Sequence, residues 1–132
     1  IGNLDAKRDW GYAKEYVEAM YLMMQHNKPE DFVIGSGKNY TVRYFIEKAF
    51  QETGVKIEWE GKGADEIGIN KETKKVIVRI DKFFYRPTEV DTLLSDPSKA
   101  KKKLNWQTKV TIDELIALMV KSDLDFCKKY NQ

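Results

Sequence analysis

The sequence predicts a mixed α/β domain, closer to α+β, with about four helices, a few short strands and one hairpin. Three observations carry this. Stretches near residues 13–24, 42–50 and 112–124 place apolar residues at helical spacing. Residues 55–60 alternate apolar and charged side chains, the period of a half-buried strand. Between these, Gly, Pro and Asn cluster where turns are required.

The elements follow in order. Residues 1–11 show no periodicity and read as a loop. From about Tyr12 a helix is expected with Ala13, Tyr16, Val17, Met20, Tyr21 and Met24 on one face, and it must stop before Pro29. Asp31-Phe32-Val33-Ile34 reads as a buried strand leaving into the turn Gly35-Ser36-Gly37. Thr41 can cap a second helix, with Val42, Phe45, Ile46, Ala49 and Phe50 inward and Gly54 as its stop. Val55, Ile57 and Trp59 form the alternating strand, broken by Gly61 and Gly63. Residues 66–69 and 75–80 flank the polar run Asn70–Lys74 as a hairpin. An aromatic loop follows, Phe83-Phe84-Tyr85-Arg86-Pro87. Asp96-Pro97 then supplies an N-cap and a first helical residue for a short helix ending at Asn105-Trp106. Thr111 and Glu114 have capping-box spacing and open a final helix with Leu115, Ile116, Met119, Val120 and Leu124 inward.

Composition excludes several functions. The 132 residues suffice for one folded domain, residues 1–132, with 42% hydrophobic and 33% charged residues. Twenty-three basic against 21 acidic residues leave a net charge of +2, without the basic surplus of a nucleic-acid binder. The run Lys99, Lys101, Lys102, Lys103 reads as a solvated helix face. Cys127 is the single cysteine, so neither an internal disulfide nor a Cys-based metal cluster can form; this fits a reducing, cytoplasmic setting. His26, the single histidine, sits in a helix-ending loop and reads as structural rather than catalytic. No apolar run approaches the ~20 residues of a membrane span. The opening residue is Ile1, which reads as a piece of a longer protein.

Catalytic devices are not found. Gly35-Ser36-Gly37 follows an expected strand but lacks the third glycine of a dinucleotide-binding loop. Two segments do read as anion and ribose contacts. Lys7-Arg8-Asp9-Trp10 puts two cations beside an indole, and a planar guanidinium can grip a diphosphate with two hydrogen bonds. Tyr85-Arg86-Pro87-Thr88-Glu89 sets a second arginine beside a stiff proline, with a carboxylate three residues on that can accept both ribose hydroxyls.

At these residues the sequence resembles a known family. Gly2-Asn3-Leu4-Asp5-Ala6-Lys7-Arg8-Asp9-Trp10-Gly11, continuing through Ala13-Lys14 and Tyr16-Val17-Glu18-Ala19-Met20, is similar to a signature of GDP-mannose 4,6-dehydratases. So are Pro29–Ile34, Tyr85–Asp91, and Lys99-Ala100 with Lys103-Leu104-Asn105-Trp106. The family belongs to the extended short-chain dehydrogenase/reductases. The resemblance implies a lyase that binds NADP on an amino-terminal Rossmann domain and turns GDP-mannose into GDP-4-keto-6-deoxymannose. The family's glycine-rich loop and tyrosine–lysine catalytic pair lie upstream of the part that matches Ile1. The chain therefore corresponds to the carboxy-terminal, substrate-binding part, with the Rossmann domain absent and no cofactor of its own.

The resemblance implies that Arg8 and Arg86 contact the nucleotide diphosphate and Glu89 the ribose, with Asn3, Lys7 and Val33 as neighbours. It also implies a homo-oligomeric parent enzyme, and a first helix whose apolar face packs on the Rossmann part and lies uncovered here. Two positions depart from the pattern: Tyr12 replaces a frequent histidine, and Gly35-Ser36-Gly37 replaces a more usual Ala-Thr-Gly. Two other readings stay open, a related GDP-sugar epimerase or reductase and a non-catalytic nucleotide-sugar-binding or interaction module.

Overall fold

The computed structural model describes residues 1–85 and 94–130. These residues form four helices and five short strands: β1 (Lys7–Arg8), α1 (Ala13–Gln25), β2 (Tyr40–Thr41), α2 (Val42–Glu52), β3 (Ile57–Glu60), β4 (Ile67–Asn70), β5 (Val76–Arg79), α3 (Ser98–Leu104) and α4 (Ile112–Tyr130). The mixed α/β class expected from the sequence is the class observed.

The strands β3, β4 and β5 make an antiparallel meander in that order. The β4–β5 turn forms because Asn70 accepts the Glu72 and Thr73 backbone N–H groups on its side chain at 2.9 and 3.0 Å, which closes the chain back on itself. A second, minimal sheet pairs β1 with β2, Lys7 opposite Thr41 and Arg8 opposite Tyr40. β1 is invisible to sequence patterning, because two residues cannot display a period.

Thr41 caps α2 as expected, its hydroxyl accepting from the Tyr44 N–H at 3.1 Å. At α4 the capping box closes reciprocally: Glu114 Oε2 accepts the Thr111 N–H at 2.8 Å, and Thr111 Oγ1 accepts the Glu114 N–H at 3.3 Å. One core cluster joins Ala19 of α1, Ala100 of α3 and Trp106, with Tyr16, Leu22, Phe32, Ile34 and Leu104 packed around it.

Three expectations need correction. Residues 31–34 pair with no strand among the described residues, although Phe32 and Ile34 turn inward and Val33 outward as a strand would place them. The alternation is present and the ladder partner is not. The short helix begins at Ser98 with Pro97 as its cap residue, and Asp96 still accepts the Ser98 N–H at 3.0 Å. On α4 only Ile112, Leu115 and Ile116 are buried, while Met119 and Leu124 are exposed. Packed against α2, whose 11 residues face the 19 of α4, the longer helix overhangs its neighbour.

Helix α1 uses a narrower face than its periodicity suggests. Glu15 and Ala19 are buried, with Tyr16 and Leu22 beside them, whereas Val17, Met20, Tyr21 and Met24 are exposed by 57–74%. Of the face expected to lie uncovered, Tyr16, Val17, Met20 and Met24, the last three are exposed, whereas Tyr16 packs edge-on against Trp106 at the core cluster.

Candidate functional site

The segment Asn3–Arg8 is held by backbone bonds to the start of α2. Leu4 O accepts the Arg43 N–H at 2.8 Å, and Ala6 O accepts the Val42 N–H at 3.0 Å. Leu4 and Ala6 are almost fully buried, so the alternate residues Asp5 and Lys7 face outward. Asn3 uses its side-chain oxygen locally, accepting from the Asp5 N–H at 2.9 Å. Lys7 is exposed and Arg8 half-buried, with Arg8 Nη1 donating to the Lys7 carbonyl at 2.8 Å.

Immediately after β1, Asp9 reaches across 27 residues to the turn Gly35-Ser36-Gly37. Its carboxylate accepts the Ser36 N–H at 3.0 Å, the Ser36 hydroxyl at 2.5 Å and the Gly37 N–H at 3.0 Å. The Ser95 hydroxyl also donates to Asp9 and in turn accepts the Gly37 N–H at 3.2 Å. Burial works to raise the Asp9 pKa. The hydrogen bonds from Ser36, Ser95 and Gly37 outweigh it and hold the carboxyl below its ordinary range. Nearby, burial raises the Tyr16 phenol, and the charges of Asp9 and Glu15 add to the effect.

The Trp10 ring packs at a tilt of 38° against Phe45 of α2, centroids 4.8 Å apart, which helps fix the outgoing chain. Gly11 is required by space rather than by dihedral angle, since a Cβ there would sit 2.1 Å from the Tyr16 hydroxyl. Below the β1 segment, Arg43 binds Glu66 at 2.5 Å and Asp5 at 3.0 Å while its guanidinium lies 4.9 Å over the Trp59 ring. This residue joins α2, the opening loop and the meander.

The sequence-predicted residues are thus divided. Asn3, Lys7 and Arg8 lie together on one stapled segment. Val33 lies on a second segment, which Asp9 ties to the first through Ser36 and Gly37. Val33 is 52% exposed and free to be covered by other atoms. Arg86 and Glu89 fall outside the described residues. Asp9, Ser36, Ser95 and Arg43 were not singled out by sequence, although Asp9 stands beside a candidate ligand.

A cavity of about 120 Å³ adjoins this region, lined in part by Trp10, Ser36, Tyr40 and Thr111. A larger groove, about 590 Å³, runs along Val110, Ala117 and Leu118 and shares none of the described candidate residues. Among the described residues no group of His, Cys, Asp and Glu is arranged to hold a metal ion. His26 pairs with Glu30 at 3.4 Å and packs edge-on against Phe32, the structural role expected of it. No described helix is long and apolar enough to cross a membrane.

Comparison with known proteins agrees with this architecture. The sequence profile of GDP-mannose 4,6 dehydratase matches residues 1–119. GDP-mannose 4,6 dehydratases of Homo sapiens and Cricetulus griseus are 56% and 55% identical over 128 residues, covering 97% of this chain and 34% of theirs. That of Dictyostelium discoideum is 52% identical over 134 residues, covering 99% of this chain and 38% of its own. The chain thus spans about a third of the length of the curated relatives it matches. Among solved structures, the UDP-glucose 4-epimerase of Thermotoga maritima with UDP-glucose superposes with a TM-score of 0.69 at 25% identity, over 96% of this chain and 34% of that one. The RMD of Pseudomonas aeruginosa complexed with NADPH gives 0.66 at 15% identity, over 92% and 34%, a likeness of fold. On the evidence of a match running from residue 1 to residue 119 and of relatives more than half identical, this chain belongs to the GDP-mannose 4,6 dehydratase family.

Proposed function

We propose that this chain is the carboxy-terminal, substrate-binding part of an enzyme that converts GDP-mannose to GDP-4-keto-6-deoxymannose. In this reading Arg8 and Arg86 grip the diphosphate, Glu89 accepts the ribose hydroxyls, and Asn3, Lys7 and Val33 line the nucleotide. The observation that supports it is the anchoring of the Arg8 segment, by α2 on one side and by the Asp9 network on the other. A guanidinium carried on backbone that is already ordered loses less freedom when it binds a diphosphate.

The turn Gly35-Ser36-Gly37 does not offer NADP a phosphate cradle. The turn Gly35-Ser36-Gly37 has two N–H groups that a phosphate would need, and Asp9 already occupies both. In this reading the hydride carrier belongs to the Rossmann part of the parent enzyme, and this chain's contribution is to bind and orient the sugar nucleotide. The reading carries with it a cytoplasmic homo-oligomer.

The test is calorimetric titration of GDP into the intact protein and into its Arg8→Ala and Arg86→Ala variants. Each variant should lose about 2–5 kcal/mol of binding free energy, the usual cost of removing one partner from a desolvated charge pair. Unchanged affinity in both would overturn the assignment.

A further inference from the structure

Helix α4 leaves its neighbours halfway along. Ile112, Leu115 and Ile116 are buried, while every residue from Lys121 to Tyr130 is exposed. Helices in proteins draw most of their stability from packing an apolar face, and this half leaves Phe126 and Tyr130 exposed by 62% and 63%. Leu115, Met119, Ser122 and Phe126 follow one another in steps of four, three and four residues, the spacing of a coiled-coil seam. Val120 and Leu124 lie on another side, where they share a groove with Glu52 of α2.

The same helix carries a protrusion and a recess of matching chemistry. Phe126 packs its ring against Tyr130, centroids 4.4 Å apart, and the pair stands out into solvent. A groove of about 390 Å³ runs between Tyr12 and α4, lined by Leu115, Leu118, Met119 and Ser122. Phe126 cannot fill the groove of its own molecule, because it lies two turns beyond Met119 on one continuous helix. A second copy running the opposite way can fill it.

Charge sets the alignment. Glu114 and Lys129 fall on one flank of the seam, about 60° apart around the helix. They are equally distant from the point between Lys121 and Ser122. Reversal about that point sets Glu114 of each copy against Lys129 of the other, and brings Phe126 level with Ala117 and Leu118, inside the groove. The ends agree, since Asp113 and Glu114 open the helix and Lys128 and Lys129 close it, so antiparallel copies join unlike charges and unlike dipole ends.

We infer that α4 is a docking surface for a second copy of this chain. Two α4 helices pair antiparallel about a two-fold axis at positions 121–122, and Phe126 of each fills the groove between Tyr12 and Leu118 of the other. Ser122, small and on the seam, lets the backbones approach at the crossing. Lys121, about 200° round the helix from Met119, falls outside the contact. The surface uses none of Asn3, Lys7, Arg8 and Val33, so it stands or falls apart from nucleotide binding.

The experiment is disulfide cross-linking of the intact protein in a Cys127→Ser background, read on non-reducing gels. Ser122→Cys should convert most of the protein to a covalent dimer under mild oxidation, because the two positions meet within the ~7 Å that a disulfide spans. Lys129→Cys should give little above background, since antiparallel helices hold its two copies about 22 Å apart along the axis. Adding Phe126→Glu to Ser122→Cys should cut cross-linking at least about tenfold, the loss expected when an anchor leaves its pocket. Phe126 lies on the exposed half of α4, so this change should leave helix content intact, which circular dichroism checks.

A Ser122→Cys variant that forms no dimer would overturn the pairing. If its thiol is also closed to a soluble maleimide, another segment of a longer protein covers the face instead. Lys129→Cys cross-linking as readily as Ser122→Cys would overturn the antiparallel alignment, and Phe126→Glu without effect would overturn the anchor.

Discussion

Trp106 donates its indole N–H to the backbone carbonyl of Glu15 at 3.0 Å, across 91 residues of sequence. The same Glu15 turns its carboxylate the other way, where Oε1 accepts the Lys109 and Val110 N–H groups at 2.9 and 3.1 Å. One residue of α1 thus secures both the indole at the end of α3 and the turn that leads into α4.

Replacing Glu15 by alanine leaves two backbone donors without their acceptor in a part-buried setting. A loss of about 2–4 kcal/mol in unfolding free energy is expected, from two donors at about 1–3 kcal/mol each with partial relief by water. Urea denaturation of the two proteins measures it, and an unchanged midpoint would show that water replaces the carboxylate without cost.

Arg43 makes a different demand. Its guanidinium serves Glu66 and Asp5 at once and stacks over Trp59, which the point charge of lysine cannot reproduce. Arg43→Lys should lower stability by about 1–2 kcal/mol, mostly through the nearly buried Glu66 left short of donors. A double-mutant cycle with Glu66→Gln should show coupling between the two positions.

Acid should loosen the contact between the 29–31 loop and α3. Glu30 accepts from Lys103 at 2.6 Å and pairs with Lys99 at 3.0 Å and His26 at 3.4 Å. Hydrogen bonds from Lys103, Lys99 and His26 hold its pKa at about 2, below the ordinary 4.5. A depressed carboxylate stabilises the fold fully above its unfolded pKa, and that contribution disappears as pH falls from 4.5 through about 2. Melting temperatures across this window should fall more steeply in the parent than in Glu30→Gln. Parallel slopes would sink the assignment.

The uncovered stripe of α1 should announce itself in solution. Val17, Met20, Tyr21 and Met24 present a continuous apolar surface of the kind that soluble monomers seldom leave open. The chain by itself should bind a hydrophobic dye such as anilinonaphthalene sulfonate, and the pair Met20→Glu with Met24→Glu should reduce that binding severalfold without lowering helix content. A compact monomer that ignores the dye would contradict the expectation.

Much of the fold was legible because its signals are local. Thr41, the Thr111/Glu114 box and the Asn70 turn each act within about four residues, and each formed as the sequence required. What could not be read depends on distant partners. Val33 alternates like a strand residue yet finds no ladder among the described residues. Met119 has helical spacing but is left exposed on α4.

The candidate site divides in the same way. Arg8 was visible as a cation beside an indole, and family resemblance added a role to it. Asp9 was passed over because its partners, Ser36 and Ser95, lie 27 and 86 positions away. Gly35 was read as part of a turn and as a departure from the family's alanine, and the space its missing Cβ leaves is filled by the Ser95 side chain.

The bond between Trp106 and Glu15 also sets an order of events in the cell. Helix α1 is synthesised before its partners: the indole that closes over Ala19 and the turn that satisfies the Glu15 carboxylate follow roughly ninety residues later. At about 5–20 residues per second, the nascent helix waits for seconds with both its faces open. Such a helix is exposed to trapping by other apolar surfaces until Trp106 and the turn at Lys109 and Val110 are made, and the chain would gain from chaperones during that interval.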